Sequence, residues 1–162
     1  MPSIDLDVLL KPISGDNPSG EDLRYHKLTE DIKEARRREE DLDLGVWKRE
    51  VKTADYDKVI KLSREALTKH SKDLQIAAWM TEALAATDGF PGLLQGLQLL
   101  RGLLETFWDT LYPQMEEPED AEFRAAHLNL VGTQFNLLVQ DNPITQAGFT
   151  YAHFLQSKTV PT

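Results

Sequence analysis

Apolar residues recur at helical spacing along most of the chain, and the clearest helices are predicted between residues 55 and 138. The first of them covers residues 55–70. Asp73 is a candidate N-cap for the second, which is apolar almost all round and is therefore expected to lie at the centre of the fold. Gly89 is a candidate C-cap for this helix, and Pro91 suits the first turn of the third.

The third helix carries a seam of apolar residues at alternating spacings of four and three, which predicts packing along another helix. The members of the seam are Leu93, Leu97, Leu100, Leu104, Phe107 and Leu111. A fourth helix is predicted to begin at Pro118, where the missing amide hydrogen is harmless. Its predicted buried face consists of Phe123, Ala126, Leu130, Val131, Gln134, Leu137 and Leu138. Trp79 and Trp108 lie on strongly apolar helices and are predicted to belong to the core.

The N-terminal part of the chain is less regular. A short helix is predicted over residues 4–10, followed by a loop rich in proline and glycine over residues 12–22. Residues 25–41 are predicted to form a helix with a charged surface. Glu34 and Arg38 on this helix are four residues apart, the spacing and order that favour an ion pair.

The same patterns predict the fold class. The chain contains no alternating apolar and polar run long enough for a confident strand, and no internal repeat with a recurring signature. A short last helix is predicted over residues 151–156. We therefore predict an all-α fold, a single compact multi-helix domain without significant sheet. The pattern leaves open whether the helices form a bundle or stacked helical hairpins.

Composition narrows the classes of partner. The net charge is −9 and the chain contains no cysteine. Phosphate backbones and anionic lipids repel an acidic chain, so we predict binding neither to nucleic acid nor to membranes. No stretch approaches the length of an apolar membrane span, which predicts no direct membrane insertion. The basic cluster Arg36, Arg37 and Arg38 has acidic neighbours, which favours an ion-paired helix face and leaves a protein contact open.

The sequence contains no recognisable catalytic, metal-binding or cofactor-binding constellation. The four histidines, His26, His70, His127 and His153, are not spaced as paired zinc ligands. No serine lies in a Gly-x-Ser-x-Gly turn, no phosphate-binding loop occurs, and the acidic residues fall in polar runs typical of solvated surfaces. We therefore predict a protein that is not an enzyme and that needs no metal or cofactor.

Trp47 lies in a stretch, residues 42–54, that has no clean period and is interpreted as a connector. One interpretation of Trp47 is an anchor that holds the connector to the core. The other is a contact with a partner, because tryptophan is enriched at interface hot spots.

Two stretches of the sequence resemble a known family. The first is PISGDNPSGEDLRY, residues 12–25, and the second covers residues 61–114. The second is the more specific, because several short matches follow in order: Lys72-Asp73-Leu74, Ala78-Trp79, Asp88-Gly89-Phe90, Phe107-Trp108-Asp109 and Tyr112-Pro113. Both are similar to the ImpA-related N-terminal domain of TssA-type proteins of the type VI secretion system. His26 and Lys27 depart from that pattern, in which an acidic residue and a proline are expected.

The resemblance implies a cytoplasmic, non-enzymatic assembly domain that engages the baseplate and the tail tube or sheath of a bacterial secretion apparatus. It implies that residues 1–157 are the N-terminal helical domain and that residues 158–162 begin an interdomain linker. Further C-terminal domains would then build a homo-oligomeric ring, and residues 1–162 alone are expected to be mostly monomeric. The candidate interaction residues are Arg24, Tyr25, Arg37 and Trp47. The alternative is a helical domain that binds or hydrolyses a small molecule, which would need a pocket with two convergent buried polar or charged groups.

Overall fold

A computed structural model describes residues 4–38 and 52–159, except for the side chains of Leu130, Gln134, Leu137 and Leu138. Within these ranges the regular structure is helical and no strand occurs, which confirms the all-α prediction. The helices are α1 (Leu6–Leu9), α2 (Lys27–Arg36), α3 (Tyr56–Lys69), α4 (Leu74–Phe107), α5 (Ala121–Asp141) and α6 (Tyr151–Thr159), with a 3-10 turn (Pro118–Asp120) before α5. From α2 to α6 each helix packs against the next in the chain. No helix in the described ranges is both long and apolar enough to cross a membrane.

The predicted helix starts are confirmed by their caps. The side chain of Asp55 accepts a hydrogen bond of 3.0 Å from the amide of Lys58, and that of Asp73 accepts one of 3.1 Å from the amide of Ile76. Each carboxylate satisfies an amide that has no partner within its helix. Pro118 opens the 3-10 turn, as predicted.

Helix α4 is two helices joined by a kink at Gly89. Gly89 has φ 63° and ψ −139°, a backbone conformation that residues with a Cβ atom rarely adopt. We call residues 74–88 the first limb of α4 and residues 90–107 the second limb. The predicted end at Gly89 and the predicted restart at Pro91 are therefore correct.

The two limbs approach each other closely at two glycines of the second limb. A Cβ placed on Gly92 would lie 2.0 Å from the carbonyl oxygen of Leu84, and one on Gly96 would lie 2.3 Å from Cγ2 of Thr81. The centre of the buried face therefore follows Gly92 and Gly96, together with Leu99 and Leu103.

This close approach corrects the predicted seam of the second limb. Leu100, Phe107 and Leu111 are buried as predicted, but Leu97 is 43% exposed. Because the glycines turn toward the first limb, the seam through Leu97 and Leu104 lies at the edge of the contact. There it lines an apolar groove shared with α5.

The predicted buried face of α5 is wrong at two residues, and four others, Leu130, Gln134, Leu137 and Leu138, have side chains outside the described part of the structure. Val131 is buried as predicted, whereas Phe123 is 66% exposed and Ala126 is exposed. The most buried side chain of the first turns is Arg124. Its guanidinium donates hydrogen bonds to main-chain oxygens of the segment that follows α4, which orients α5. The guanidinium carbon also lies 4.9 Å from the centre of the Trp108 ring, and that ring covers it from solvent while remaining 44% exposed. The prediction of Trp108 as a core residue is therefore wrong.

Helix α2 is shorter than the predicted span of residues 25–41. It ends at Arg36, and Arg37 is already extended. Residues 52 and 55 supply donors to the carbonyls in the last turn of α2. The amide of Asp55 donates to the carbonyl oxygen of Ala35 at 2.8 Å, and Nζ of Lys52 donates to the carbonyl oxygen of Glu34 at 2.9 Å. The Glu34 carboxylate pairs with Arg37 and Lys52, and the predicted pair with Arg38 does not form.

The ends of the chain also differ from prediction in length. Helix α1 is confirmed, but it covers only Leu6–Leu9 of the predicted residues 4–10. Helix α6 continues to Thr159 and does not stop at residue 156, so the first two residues of the proposed linker, 158 and 159, are helical.

Candidate functional site

The loop of residues 11–26 is fixed against the turn between α3 and α4 by main-chain hydrogen bonds. The amide of Glu21 donates to the carbonyl oxygen of His70 at 3.0 Å, and the amide of Lys72 donates to the carbonyl oxygen of Ser19 at 2.7 Å. On the other side of the turn, the amide of Tyr112 donates to Lys72 at 2.9 Å. Three segments distant in sequence, residues 19–21, 70–74 and 110–112, thus form one hydrogen-bonded unit, which we call the junction.

Side chains reinforce the junction. The Tyr112 hydroxyl donates to the carbonyl oxygen of Gly20 at 3.0 Å, and the hydroxyls of Ser19 and Thr110 lie 2.7 Å apart. Gly20 has φ 75°, and a Cβ there would lie 2.0 Å from the carbonyl oxygen of His70. The loop can therefore approach the α3–α4 turn this closely because residue 20 has no side chain.

A fully buried lysine ties the junction to the N-terminal helix. Nζ of Lys72 donates hydrogen bonds of 2.7 Å to the carbonyl oxygen of Leu9 and 2.5 Å to that of Leu67, and it lies 5.5 Å from the centre of the Phe107 ring. Burial lowers the pKa of Lys72 to about 8. The lysine thereby joins the end of α1 to the last turn of α3, and both carry carbonyls that need donors.

Arg24 and Tyr25 protrude from this fixed loop. Leu23 is completely buried, and its carbonyl accepts hydrogen bonds from the Thr29 hydroxyl at 2.7 Å and from the amide of His26 at 3.0 Å. The carboxylate of Asp22 accepts from the amide of Arg24 at 2.9 Å. Tyr25 sits between these bonded positions and is 90% exposed. Tyrosine and arginine are enriched at interface hot spots, and a backbone that is already fixed reduces the entropy lost on binding.

The structure separates the other candidate residues from this pair. Arg37 is exposed at the far end of α2, and the ten residues of the helix span about 15 Å. Trp47 lies outside the described residues. Arg24 and Tyr25 are neighbours in sequence and are both exposed; we call them the Arg24–Tyr25 surface, and the structure places Arg37 apart from them.

Sequence patterns missed a nearly buried ion pair between α2 and α4. The guanidinium of Arg36 donates to one carboxylate oxygen of Glu82 at 2.9 and 2.5 Å, and it lies 4.9 Å from the centre of the Trp79 ring. The pair lines an open groove on α2 with other charged side chains. Spacing within α2 could not reveal it, because the partner comes from a different helix. In the part of the chain that the structure describes, no group of three or more potential ligands could hold a metal ion.

The carboxyl group of Asp73, inside the junction, is the ionisable group with the most informative pKa. Burial raises this pKa from 3.8 to about 6, although hydrogen bonds from the amides of Ile76 and Gln75 oppose the shift. The folded domain thus holds a proton on Asp73 over a pH range in which the unfolded chain has lost it. The stabilising contribution of the protonated group is complete below about pH 4 and disappears as the pH rises through about 6.

We therefore expect Asp73→Asn, which retains an oxygen acceptor for the cap, to change the pH profile of stability. Relative to the variant, the parent should lose up to about 3 kcal/mol of unfolding free energy between pH 4 and pH 7. Denaturant unfolding at several pH values measures this difference directly. Parallel profiles for the two proteins would show that burial does not perturb Asp73.

Comparison with known proteins identifies relatives of this chain. Residues 10–132 match the family model described as ImpA, N-terminal, type VI secretion system. This range contains both stretches that carry the resemblance and the Arg24–Tyr25 surface. A curated relative, "Type VI secretion system component TssA1" of Pseudomonas aeruginosa, is 32% identical over 117 residues, which cover 72% of this chain and 34% of that protein.

A solved structure is similar in both sequence and fold. It is described as the N-terminal domain, including the conserved ImpA_N region, of the TssA component of the type VI secretion system from Burkholderia cenocepacia. The TM-score is 0.78 and the identity 35%, over 97% of this chain and 61% of that one. The chain thus spans about a third of the curated relative and about three-fifths of the solved chain.

Proposed function

The chain belongs to the ImpA N-terminal family of the type VI secretion system, and from this premise we propose that it is a non-enzymatic adaptor domain of the secretion apparatus. Its proposed role is to engage the baseplate and the tail tube or sheath during assembly, on the cytoplasmic side. The observation that carries the proposal is the Arg24–Tyr25 surface, a nearly fully exposed tyrosine on a loop whose neighbouring residues are all hydrogen-bonded or buried.

The rigidity of the loop supports a role in binding. A flexible loop loses conformational freedom when it binds, and that loss subtracts from affinity. Here the junction has already fixed the backbone around Tyr25, so a partner that accepts the ring meets a preorganised anchor. The neighbouring Arg24 forms an exposed pair with Asp22 at 3.4 Å, which supplies charge at the rim of the contact.

The buried charged groups support the adaptor over the small-molecule alternative. That alternative needs two convergent buried groups that face a cavity. Arg36 and Glu82 instead pair with each other, and Asp73 caps α4. Lys72 and Arg124 bind main-chain carbonyls. In the described part of the chain, each of these groups thus has a structural partner.

We further propose that the longer proteins of this family carry their ring-forming regions outside the segment matched here, so that each ring displays several copies of this domain. Weak contacts with a repetitive baseplate or sheath would then add through effective concentration. Pull-down of residues 1–162 against isolated baseplate, sheath and tube proteins tests the adaptor proposal. Capture of one of them supports it, and failure to capture any of them at high concentration, with the domain folded, contradicts it.

We expect Tyr25→Ala to weaken binding to the captured component about 30-fold, because an exposed aromatic anchor typically contributes about 2 kcal/mol. The melting temperature should stay nearly the same, since the ring contacts solvent. Isothermal titration calorimetry measures the affinity of the parent and of the variant for the captured component. Leu94→Ala, which alters an exposed apolar side chain near the kink of α4, is the matched control and should bind like the parent.

A further inference from the structure

Helix α6 and the turn that precedes it leave a group of apolar side chains uncovered. Its members are between 40% and 59% exposed and all follow residue 143: Ile144, Phe149, Tyr151, Phe154 and Leu155. We call this set the C-terminal apolar face. Groups of exposed large apolar side chains mark sites of contact with other protein segments.

The composition of this region is that of an interface. Among the 39 residues from 121 to 159, four are charged, namely Glu122, Arg124, Asp141 and Lys158, or about 10% against 28% for the whole chain. Arg124 is buried, so three of these charges are left for the surface. Depletion of charge at a water-exposed face is typical of the core of an interface.

Helix α6 lacks support within the described residues. It has nine residues, none of which is buried, and its packing is mainly against α5. A helix of this length is marginal in water unless an apolar face is packed against another element. The residues that would provide that packing, Tyr151, Phe154 and Leu155, face away from the core.

We propose that the C-terminal apolar face is the docking surface for the polypeptide that follows this segment in the same molecule. The solved relative supports this choice of occupant. It aligns with 97% of this chain, yet the alignment accounts for 61% of its own length, and the whole of it is described as an N-terminal domain. That domain therefore contains a part that this chain does not match, and in the proposal the corresponding part packs on the exposed apolar side chains of α6.

Docking at this face would leave the Arg24–Tyr25 surface free. The first limb of α4 begins at the junction, beside Asp73, and ends at Gly89. A Cβ on Gly89 would lie 3.4 Å from the side chain of Asn142, so the turn between α5 and α6 sits at the kink end of α4. The docked segment would hold the domain in a fixed orientation with its interaction surface exposed at the opposite end. This inference rests on the apolar face and the relatives, and it does not depend on the proposed apparatus contacts.

Hydroxyl-radical footprinting with mass spectrometry tests the proposal. Residues 1–162 and the longer protein that carries them are labelled side by side, with Phe149, Tyr151 and Phe154 as reporters and Tyr25 as the control. We expect the reporters to be oxidised about fivefold more slowly in the longer protein, as burial in an interface core requires, and Tyr25 to react equally in both.

Three results would overturn the proposal. Equal oxidation of the reporters in the two proteins would show that the face stays open. Protection in residues 1–162 alone that grows with concentration would assign the face to a second copy. Protection of the longer protein that appears only after baseplate, sheath or tube proteins are added would assign it to a partner.

Discussion

Arg124→Met is expected to lower the free energy of unfolding by about 5 kcal/mol, which makes it one of the most damaging single substitutions in the domain. The Arg124 side chain is 99% shielded from solvent, since its exposed fraction is 1%. Its three nitrogens donate to the carbonyl oxygens of Trp108 at 2.5 Å, Leu111 at 2.5 Å and Pro113 at 2.8 Å. Methionine fills much of the volume but donates nothing, so three carbonyls of the segment that follows α4 would lose their donor.

The physical reason for this large effect is the position of the arginine. Residues 108–113 follow the last turn of α4, so no helix supplies donors to their carbonyls, and buried carbonyls need partners. Arg124 donates to three of these carbonyls from the next helix and so fixes the start of α5 against the segment that follows α4. Burial lowers the pKa of its guanidinium, but the group remains charged because its ordinary pKa is far above neutrality.

Arg101→Met is the matched control for Arg124→Met. Arg101 lies on an exposed face of α4 and pairs with Glu105 at 2.7 Å, a surface pair of the kind that contributes little to stability. Denaturant unfolding should find this variant nearly as stable as the parent. If both variants unfold alike, the hydrogen bonds of Arg124 do not hold α5 to α4.

Trp79→Ala and Phe107→Ala are each expected to cost about 4 kcal/mol through lost burial and the cavity left behind. Trp79 is 4% exposed on the first limb of α4, and Phe107 is 3% exposed at the end of the second. Both belong to the same buried cluster, which confirms that these apolar faces meet in one core. Each ring also lies beside a cation, Arg36 for Trp79 and Lys72 for Phe107.

Trp108→Ala is the control that separates burial from residue type. Trp108→Ala removes the same indole ring as Trp79→Ala, but the side chain of Trp108 is 44% exposed. We therefore expect it to lower the free energy of unfolding by about half as much or less. Thermal unfolding of the three variants gives the comparison. Equal losses for Trp79→Ala and Trp108→Ala would contradict the assignment of one to the core and the other to the surface.

Helix positions could be predicted from sequence because their signals are local. Asp55 and Asp73 mark helix starts through hydrogen bonds to residues within one turn, Pro118 marks one because it needs no amide partner, and Gly89 marks a break through its own backbone angles. Such features depend on nearby residues alone. The end of α2 was predicted five residues too late, because its carbonyls are taken by residues 52 and 55, which no local pattern connects to it.

The direction of each buried face was harder to predict. On the second limb of α4, a pattern of leucines ignores Gly92 and Gly96, which are the points of closest approach. On α5, a count of apolar residues selects Phe123 and passes over Arg124, although Arg124 is the residue that turns inward. Close approach and buried charge are tertiary properties, and hydrophobic periodicity records neither of them.

The candidate interaction residues also combine a signal that the sequence carries with tertiary features that it does not show. Resemblance selected the stretch that contains Arg24 and Tyr25, but the sequence could not show that Leu23 is buried beside them or that the junction fixes the loop. Lys72, which ties α1 to that junction, appeared in the sequence only as part of a matching motif. Its role depends on carbonyls 5 and 63 residues away.

The central claim, that this domain contacts the secretion apparatus through the Arg24–Tyr25 surface, is tested most directly by photo-crosslinking during assembly. Tyr25 is replaced by the photoreactive residue p-benzoylphenylalanine in cells that build the apparatus, with the same replacement at Leu94 as the control. The exposure of position 25 lets the probe be accommodated without disturbing the core. The account predicts a covalent adduct between position 25 and a baseplate, sheath or tube protein, at a yield well above that from position 94. Adducts from position 25 that contain none of these components, or that form no more often than from position 94, would contradict it.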